Sequence, residues 1–181
     1  MRAKVMVAVL AASIAAVSCA GDGADPTLAS SLPPQGTTAP ATGGERAADF
    51  TVPTFGGGTF SLTDHLAEDE RPVFLNLWAS WCPPCREEMP MIDAARVRHP
   101  GIEFVGIAVQ DSTADASAFA QDIGVGYTLG FDEDGEVDAG YRPLGLPATY
   151  IISSDGVLLE EYYGRLSDDI IDQKLAQWFG G

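Results

Sequence analysis

The chain has 181 residues, enough for one ordinary domain with additional segments, and it carries a formal net charge of −16 at pH 7. So acidic a protein is a poor candidate for binding nucleic acid or anionic lipid surfaces, whereas basic partners would be attracted to it at low salt. We expect most of the acidic side chains to form a solvated surface that keeps the domain soluble.

Residues 1–18 have the pattern of an export signal. Arg2 and Lys4 precede an apolar stretch at positions 5–17, and the small residue Ser18 follows it. The stretch is shorter than the roughly 20 residues that a helix needs to cross a bilayer. A signal peptide is therefore predicted, with an uncleaved membrane anchor as the alternative.

The end of this segment, AAVSC at positions 15–19, resembles the signal of bacterial lipoproteins. The resemblance implies that cleavage leaves Cys19 as a lipid-modified N-terminus, which would anchor the protein at the outer face of the cell membrane. Secretion after cleavage near Ala20 is the alternative. Lipidation of Cys19 would also explain the odd number of cysteines, because Cys82 and Cys85 then remain as one pair.

Residues 19–48 consist mainly of Gly, Pro, Ala, Ser and Thr. A segment of this composition cannot bury enough apolar surface to offset the entropy lost on ordering. It is predicted to be a disordered tether, with a reach on the order of 30 Å if it behaves as a flexible coil. The remaining residues, 49–181, are enough for a single α/β domain.

The first half of this domain has alternating strand and helix signals. A β-hairpin is predicted around the glycines at 56–58, and the nearly continuous apolar run after Pro72 predicts a buried central strand. A helix, a second apolar strand and a helix stopped by Gly124 follow. The predicted ranges are 50–52 and 59–62 for the hairpin, 73–78 and 102–109 for the strands, and 83–98 for the first helix. The second helix is predicted to be capped by residues 111–113 and to reach Ile123.

The second half has a short predicted strand at 128–131 and a short helix near Tyr141. Strands at 148–152 and 157–163 flank the turn sequence SSDG and form a predicted hairpin. Ser167 and two aspartates then cap a last helix with an apolar face. This order predicts an α/β fold with a mixed central sheet, helices on both faces and an N-terminal β-hairpin.

Two cysteines lie in the segment NLWASWCPPCREEMP, residues 76–90, where the central strand meets the next helix. A helix N-terminus favours the thiolate of Cys82, and Cys85 lies one turn later, within reach for a disulfide. The pattern predicts a redox-active pair. A zinc site is disfavoured, because the chain has only two histidines and no second cysteine pair. A purely structural disulfide closing so short a loop would remove little unfolded-state entropy. We predict no metal and no cofactor.

The same segment resembles the active site of thioredoxin-fold proteins, in particular the TlpA/ResA-type membrane-tethered thiol-disulfide oxidoreductases of the AhpC/TSA–Redoxin-like superfamily. Downstream, the stretch GLPATYII at 145–152 is similar to the cis-proline loop of these proteins and the strand after it, and the stretch from Asp155 to Gly164 is a third match. The resemblance extends from about residue 49 to the C-terminus. It implies a thioredoxin fold for the whole domain.

The resemblance implies that Cys82 is the nucleophile and Cys85 the resolving thiol. It also implies a cis peptide bond before Pro147, which would face the thiols and expose backbone that pairs with an extended substrate. From the residues alone a trans proline remains possible, and packing beside the turn is the alternative role for Trp81. The predicted substrate-contact residues are Trp81, Pro83, Pro84, Leu146 and Pro147.

Glu88 follows Cys85 by three positions, which places both on one helix face. ResA-type proteins carry an acidic residue at this position beside the disulfide, and we hypothesise that Glu88 accepts the proton of Cys85 during resolution. A solvated carboxylate is the alternative. The sequence departs from cytoplasmic thioredoxins at Asn76, where those proteins have a buried aspartate, and this departure shifts the acid–base role towards Glu88.

The direction of electron transfer is predicted from the residues between the cysteines. Pro83 and Pro84 lack N–H groups, so the first helical donor that can reach the Cys82 sulfur belongs to Cys85. No histidine lies between the cysteines to add positive charge. Since strong oxidants owe their potential to a strongly stabilised reduced form, a moderately stabilised thiolate indicates a reductant.

The resemblance also implies that the protein reduces the CxxCH cysteines of apocytochrome c outside the membrane and is itself re-reduced by a membrane thiol-disulfide transporter. The main alternative is an exported oxidase that forms disulfides in its substrates. Two further alternatives are a non-catalytic tethered binding module and a thiol peroxidase, although the cysteine setting typical of thiol peroxidases is absent.

Overall fold

The computed structural model describes residues 37–40 and 44–180 of the chain. Its strands are β1 (Thr37–Pro40), β2 (Thr51–Pro53), β3 (Thr59–Ser61), β4 (Val73–Trp78), β5 (Glu103–Ala108), β6 (Thr128–Phe131), β7 (Ala148–Ile152) and β8 (Leu158–Tyr163). Its helices are α1 (Leu62–Glu68), α2 (Pro83–Arg98), α3 (Thr113–Ile123), α4 (Glu136–Tyr141) and α5 (Asp168–Phe179).

A mixed sheet with the strand order β1-β8-β7-β4-β5-β6 forms the centre of the domain. Strands β4, β5 and β6 are parallel, because helices α2 and α3 carry the chain back between them. Strands β7 and β8 form an antiparallel hairpin, and β7 pairs antiparallel with β4. Strand β4 lies inside the sheet, and all its residues are buried. The predicted mixed sheet and central strand are confirmed.

Alternation along β4 divides the core into two layers. Phe74 and Trp78 point to the side covered by α2, α3 and α5, whereas Val73, Leu75 and Leu77 point to the side covered by α1, α4 and the N-terminal hairpin. Both faces of a sheet that includes parallel strands must be covered in this way. The prediction of helices on both faces is therefore confirmed.

The N-terminal hairpin of β2 and β3 is also confirmed, with Val52 opposite Phe60. The predicted second strand extends one residue too far, since Leu62 begins helix α1, which the sequence prediction omits. Ser61 caps this helix by accepting a hydrogen bond from the backbone N–H of Asp64 at 3.2 Å. A serine followed three residues later by an acid is the local signal that indicates such a helix start.

The folded domain extends further towards the N-terminus than the predicted boundary at residue 49. Strand β1 pairs with β8, the backbone N–H of Ala47 donates to Gly156 O at 3.0 Å, and Ala47 and Ala48 pack against the core. These residues fall within the predicted tether. The signal segment, Cys19 and the rest of the tether lie outside the described residues. Within the described part of the chain, no helix is long and apolar enough to cross a membrane.

Candidate active site

Cys82 occupies the N-cap position of α2, with an extended backbone conformation that turns the chain from strand into helix. Pro83 and Pro84 fill the first two helical positions, where a missing N–H costs little because these groups have no intrahelical partner. The first N–H that reaches the Cys82 sulfur is that of Cys85, at 3.3 Å. This is the donor that the sequence predicts.

Cys82 and Cys85 form a disulfide, and their Cα atoms lie 5.3 Å apart. The exposed fraction is 3% for Cys82 and 0% for Cys85. Both residues are therefore buried in the disulfide form. The assignment of Cys82 as the attacking residue and Cys85 as the resolving residue stays a prediction.

The peptide bond between Leu146 and Pro147 is cis, as the resemblance implies. Strand β7 begins at Ala148, which pairs with Leu77 near the end of β4. The cis-proline loop therefore lies at the same end of the sheet as the C-terminus of β4, from which the chain continues to Cys82. Leu146 is half-buried and packs against both core layers, and Gly164 donates a backbone hydrogen bond to Pro147 O at 2.9 Å.

Trp81 is 58% exposed directly before the reactive cysteine, and its Nε1–H donates to Gln110 O at 3.0 Å. This hydrogen bond orients the ring, and more than half of the residue remains open to solvent. Trp78, by contrast, is fully buried and stacks on Phe119 with ring centroids 5.0 Å apart. The structure thus separates the two tryptophans into a surface residue and a core residue. A substrate contact at Trp81 stays a prediction.

A groove of about 500 Å³ lies beside Trp81. Its charged lining consists of three aspartates and one arginine: Asp111, Asp115, Asp122 and Arg86. The Arg86 guanidinium lies 4.4 Å above the ring of Phe119 and forms an ion pair with Asp122 at 2.6 Å. The side chain of Arg86, which sequence alone cannot place, therefore forms one wall of an acidic groove.

Glu88 is fully buried on the same face of helix α2 as Cys85, so the alternative of a solvated carboxylate is excluded. Its Oε1 accepts a hydrogen bond from Asn76 Nδ2 at 2.8 Å, and its Oε2 accepts one from the backbone N–H of Leu166 at 2.8 Å. Burial raises the pKa of Glu88 to about 7, although both hydrogen bonds and the nearby charge of Arg165 act to lower it. A carboxyl with this pKa can take up and release a proton at neutral pH.

The sequence does not predict the contacts that hold Glu88. Leu166 acts through its backbone and carries no sequence signal. Asn76 does carry one, because it is the polar residue in the buried run of β4. Asn76 also contacts Thr149 Oγ1 at 3.2 Å, across the pairing of β4 with β7.

Among the described residues, one group of side chains has the spacing of metal ligands, namely His65, Asp69 and Glu103. Arg71 Nη2 already lies 2.6 Å from Asp69 and 2.7 Å from Glu103. The guanidinium holds the position between the carboxylates that a metal ion would need. We therefore interpret this cluster as an ion-pair network away from the disulfide.

Comparisons with known proteins agree with this geometry. The model of the AhpC/TSA family matches residues 43–160. The thiol:disulfide interchange protein HelX of Rhodobacter capsulatus is 31% identical over 126 residues, which cover 69% of this chain and 70% of HelX. The thiol-disulfide oxidoreductase ResA of Bacillus subtilis is 29% identical over 131 residues, which cover 71% of each chain.

Among solved structures, the thiol:disulfide interchange protein DsbE from Chlorobium tepidum superimposes with a TM-score of 0.67 at 28% sequence identity. The match covers 74% of this chain and 95% of that structure. The similarity therefore extends over nearly the whole of a related domain.

Proposed function

We propose that this protein reduces the disulfides of exported proteins. The premise is that the chain belongs to the AhpC/TSA family and is a thiol-disulfide oxidoreductase of the HelX, ResA and DsbE type. The observation that carries this proposal is the buried Glu88 on the same helix face as Cys85. A carboxyl in this position supplies the base that the resolving thiol needs.

The reduction begins when the Cys82 thiolate attacks one sulfur of the substrate disulfide. That disulfide breaks, a mixed disulfide forms on Cys82, and the departing substrate thiolate takes a proton from solvent. Cys85 then gives its proton to Glu88 and attacks the Cys82 sulfur. The second substrate thiolate leaves and is protonated, the Cys82–Cys85 disulfide forms, and two electrons have passed to the substrate.

The prolines at positions 83 and 84 support the reducing direction. Of the first-turn backbone groups, the N–H of Cys85 is the donor at the Cys82 sulfur. A thiolate with few donors is less stabilised than one at a fully donating helix terminus. The reduced form is therefore less favoured than in a strong oxidant, and its electrons are more readily given away.

We propose a basic substrate segment beside the reacting cysteine. The groove next to Trp81 carries three carboxylates against one guanidinium, so a Lys or Arg flanking the substrate cysteine would be attracted to it. The CxxCH segment of apocytochrome c, which the family resemblance implies, is one candidate of this kind. A membrane thiol-disulfide transporter is the corresponding electron donor.

The proposed location is the outer face of the cell membrane, with the protein held there by a lipid on Cys19. This proposal rests on the signal pattern at 1–18 and on the AAVSC sequence. Secretion without an anchor is the alternative. Mass spectrometry of the mature N-terminus decides between them, because lipidation adds acyl groups to Cys19 and simple secretion leaves a shortened, unmodified chain.

The reduction potential of the Cys82–Cys85 pair tests the proposed direction. Equilibration with glutathione buffers, read by the reactivity of Cys82, should give a value well below that of a strong oxidant. A potential near about −120 mV would place the protein among disulfide-forming oxidases and overturn the proposal. The Cys85→Ser variant should accumulate mixed disulfides between Cys82 and its substrates, whereas the Cys82→Ser variant should accumulate none.

A further inference from the structure

The side-chain amide of Asn76 is buried in the middle of β4, and only one of its two polar atoms has hydrogen-bond partners among the described residues. Its Nδ2 donates to Glu88 Oε1 at 2.8 Å and to Thr149 Oγ1 at 3.2 Å. Its Oδ1 has no hydrogen-bond partner among the described residues. A buried polar atom without a partner is unfavourable, so another interaction must stabilise this orientation of the amide. The ionised carboxylate of Glu88 provides one, since it accepts hydrogen bonds and cannot donate them.

The two carboxyl oxygens of Glu88 are not equivalent when the group gains a proton. Oε2 faces the backbone N–H of Leu166, which can donate but cannot accept. A proton on Oε2 would place two donors against each other. The proton is therefore favoured on Oε1, where the facing group is the Asn76 amide. That amide can become an acceptor if it turns by half a rotation about its Cβ–Cγ bond.

We propose that Asn76 is a positioning residue that follows the protonation of Glu88 by turning its amide. Nδ2 faces the ionised carboxylate, and Oδ1 faces the protonated acid. Thr149 serves both orientations, since its hydroxyl accepts from Nδ2 in the first and donates to Oδ1 in the second. Each orientation leaves one amide atom unpartnered, so the amide itself imposes little preference between the two states.

The surroundings of Glu88 keep both states accessible. Arg165, in the segment after β8, favours the ionised form, whereas burial disfavours it, and the resulting pKa of about 7 lies at neutral pH. Tyr127, before β6, and Tyr162, on β8, also face Glu88. Burial raises the pKa of each phenol, and the charge of Glu88 adds to this, so neither phenol ionises while Glu88 titrates.

The inference deepens the proposed function, because it rests on Glu88 as the group that takes the proton of Cys85. In the resolving step that proton ends on Oε1, and the turned amide stabilises it there with a hydrogen bond. If the amide could not turn, its N–H would face the new O–H of Glu88, and these two donors facing each other would oppose the proton transfer. Asparagine thus suits this position better than the charged aspartate, which would place a second carboxylate beside Glu88.

Nuclear magnetic resonance on the oxidised full-length protein tests the inference without any substrate. We expect the side-chain amide resonances of Asn76 and the carboxyl carbon of Glu88 to titrate with one shared midpoint. Through-space contacts from the amide protons to the Thr149 methyl should change at the same pH. Glu88→Gln should abolish the titration of the Asn76 amide, whereas Glu133→Gln, which removes an exposed carboxylate between β6 and α4, should preserve it.

Contacts from the Asn76 amide protons to the Thr149 methyl that stay constant while Glu88 titrates would overturn the inference and leave Asn76 as a fixed donor. The proposed function is tested separately by the pH dependence of substrate reduction. If the rate profile of Glu88→Gln matches that of the wild type, Glu88 is not the base, and the proposed proton path fails whatever the amide does. Failure of the inference and failure of the function are therefore distinguishable.

Discussion

Glu88 Oε2 accepts a hydrogen bond of 2.8 Å from the backbone N–H of Leu166, 78 positions later in the chain. The contact joins helix α2, which carries the disulfide, to the segment between β8 and α5. The base proposed for the resolving step is thus held by the same backbone that positions the last helix. The pKa of Glu88 therefore affects both the proposed proton transfer and the stability of the folded domain.

The stability of the domain should depend on pH through Glu88. The pKa of this group is about 7 in the folded protein, against an ordinary value of 4.5, so the folded state holds the proton more tightly than the unfolded chain. The stabilisation by Glu88 is therefore greatest below about pH 4.5 and is lost as the pH rises through about 7. From about pH 5 to about pH 8 the loss should be on the order of 2 kcal/mol.

Urea unfolding of wild type and Glu88→Gln at these two pH values measures this dependence. The free energy of unfolding of the wild type should fall more steeply with rising pH than that of the variant, because glutamine does not ionise. Glu133→Gln, which removes an exposed carboxylate between β6 and α4, is the control and should behave like the wild type. Parallel profiles for wild type and Glu88→Gln would contradict the raised pKa.

Replacing Trp81 with alanine should weaken substrate reduction without unfolding the domain. The ring is exposed next to Cys82 and is held by one hydrogen bond to Gln110 O, so its removal leaves the core intact. We expect kcat/KM for a peptide disulfide to fall about tenfold, which corresponds to about 1.4 kcal/mol. Val97→Ala removes another exposed apolar side chain and serves as control. Equal rates in both variants would show that Trp81 is not a substrate contact.

The acidic groove predicts a preference for basic substrates that salt weakens. Two peptides with the same disulfide, one flanked by lysines and one by glutamates, provide the comparison. The lysine peptide should be reduced faster at low salt, and the difference should shrink as added salt screens the exposed carboxylates. Stopped-flow rates across a salt series measure this effect. Identical rates for the two peptides at low salt would remove the groove from the substrate site.

The last helix is attached through a buried ion pair that should be sensitive to removal of one partner. Lys174 contacts the fully buried carboxylate of Glu160, which also accepts from Trp178 Nε1 at 2.7 Å. Lys174→Met leaves that carboxylate buried without its counter-ion, which should cost about 3–5 kcal/mol. Denaturant unfolding followed by far-ultraviolet circular dichroism measures the loss.

The double variant Glu160→Gln/Lys174→Met is the matched comparison for this ion pair. It removes both charges and keeps a side chain that can accept from Trp178, so it should recover most of the lost stability. If the double variant is as unstable as the single one, the loss of stability comes from the missing packing of the lysine stem and not from the unpaired carboxylate of Glu160.

Much of the fold follows from local patterns in the sequence. The apolar run at 73–78 predicts the central strand with the bounds that the structure has, and the helix predicted at 83–98 is confirmed at both ends. The omitted helix α1 is a short element of seven residues, and its one buried residue, Leu62, gives no helical periodicity. Short elements of this kind depend on tertiary packing more than on their own pattern.

Local sequence is enough to predict that a CxxC pair caps a helix and that Pro83 and Pro84 remove donors from its first turn. Both follow from neighbours in the chain. The burial of Glu88 and its hydrogen bond from Asn76, 12 positions before it, arise from packing between distant segments. The pKa of a carboxyl depends on desolvation and on donors brought from distant segments, and the sequence around Glu88 contains neither.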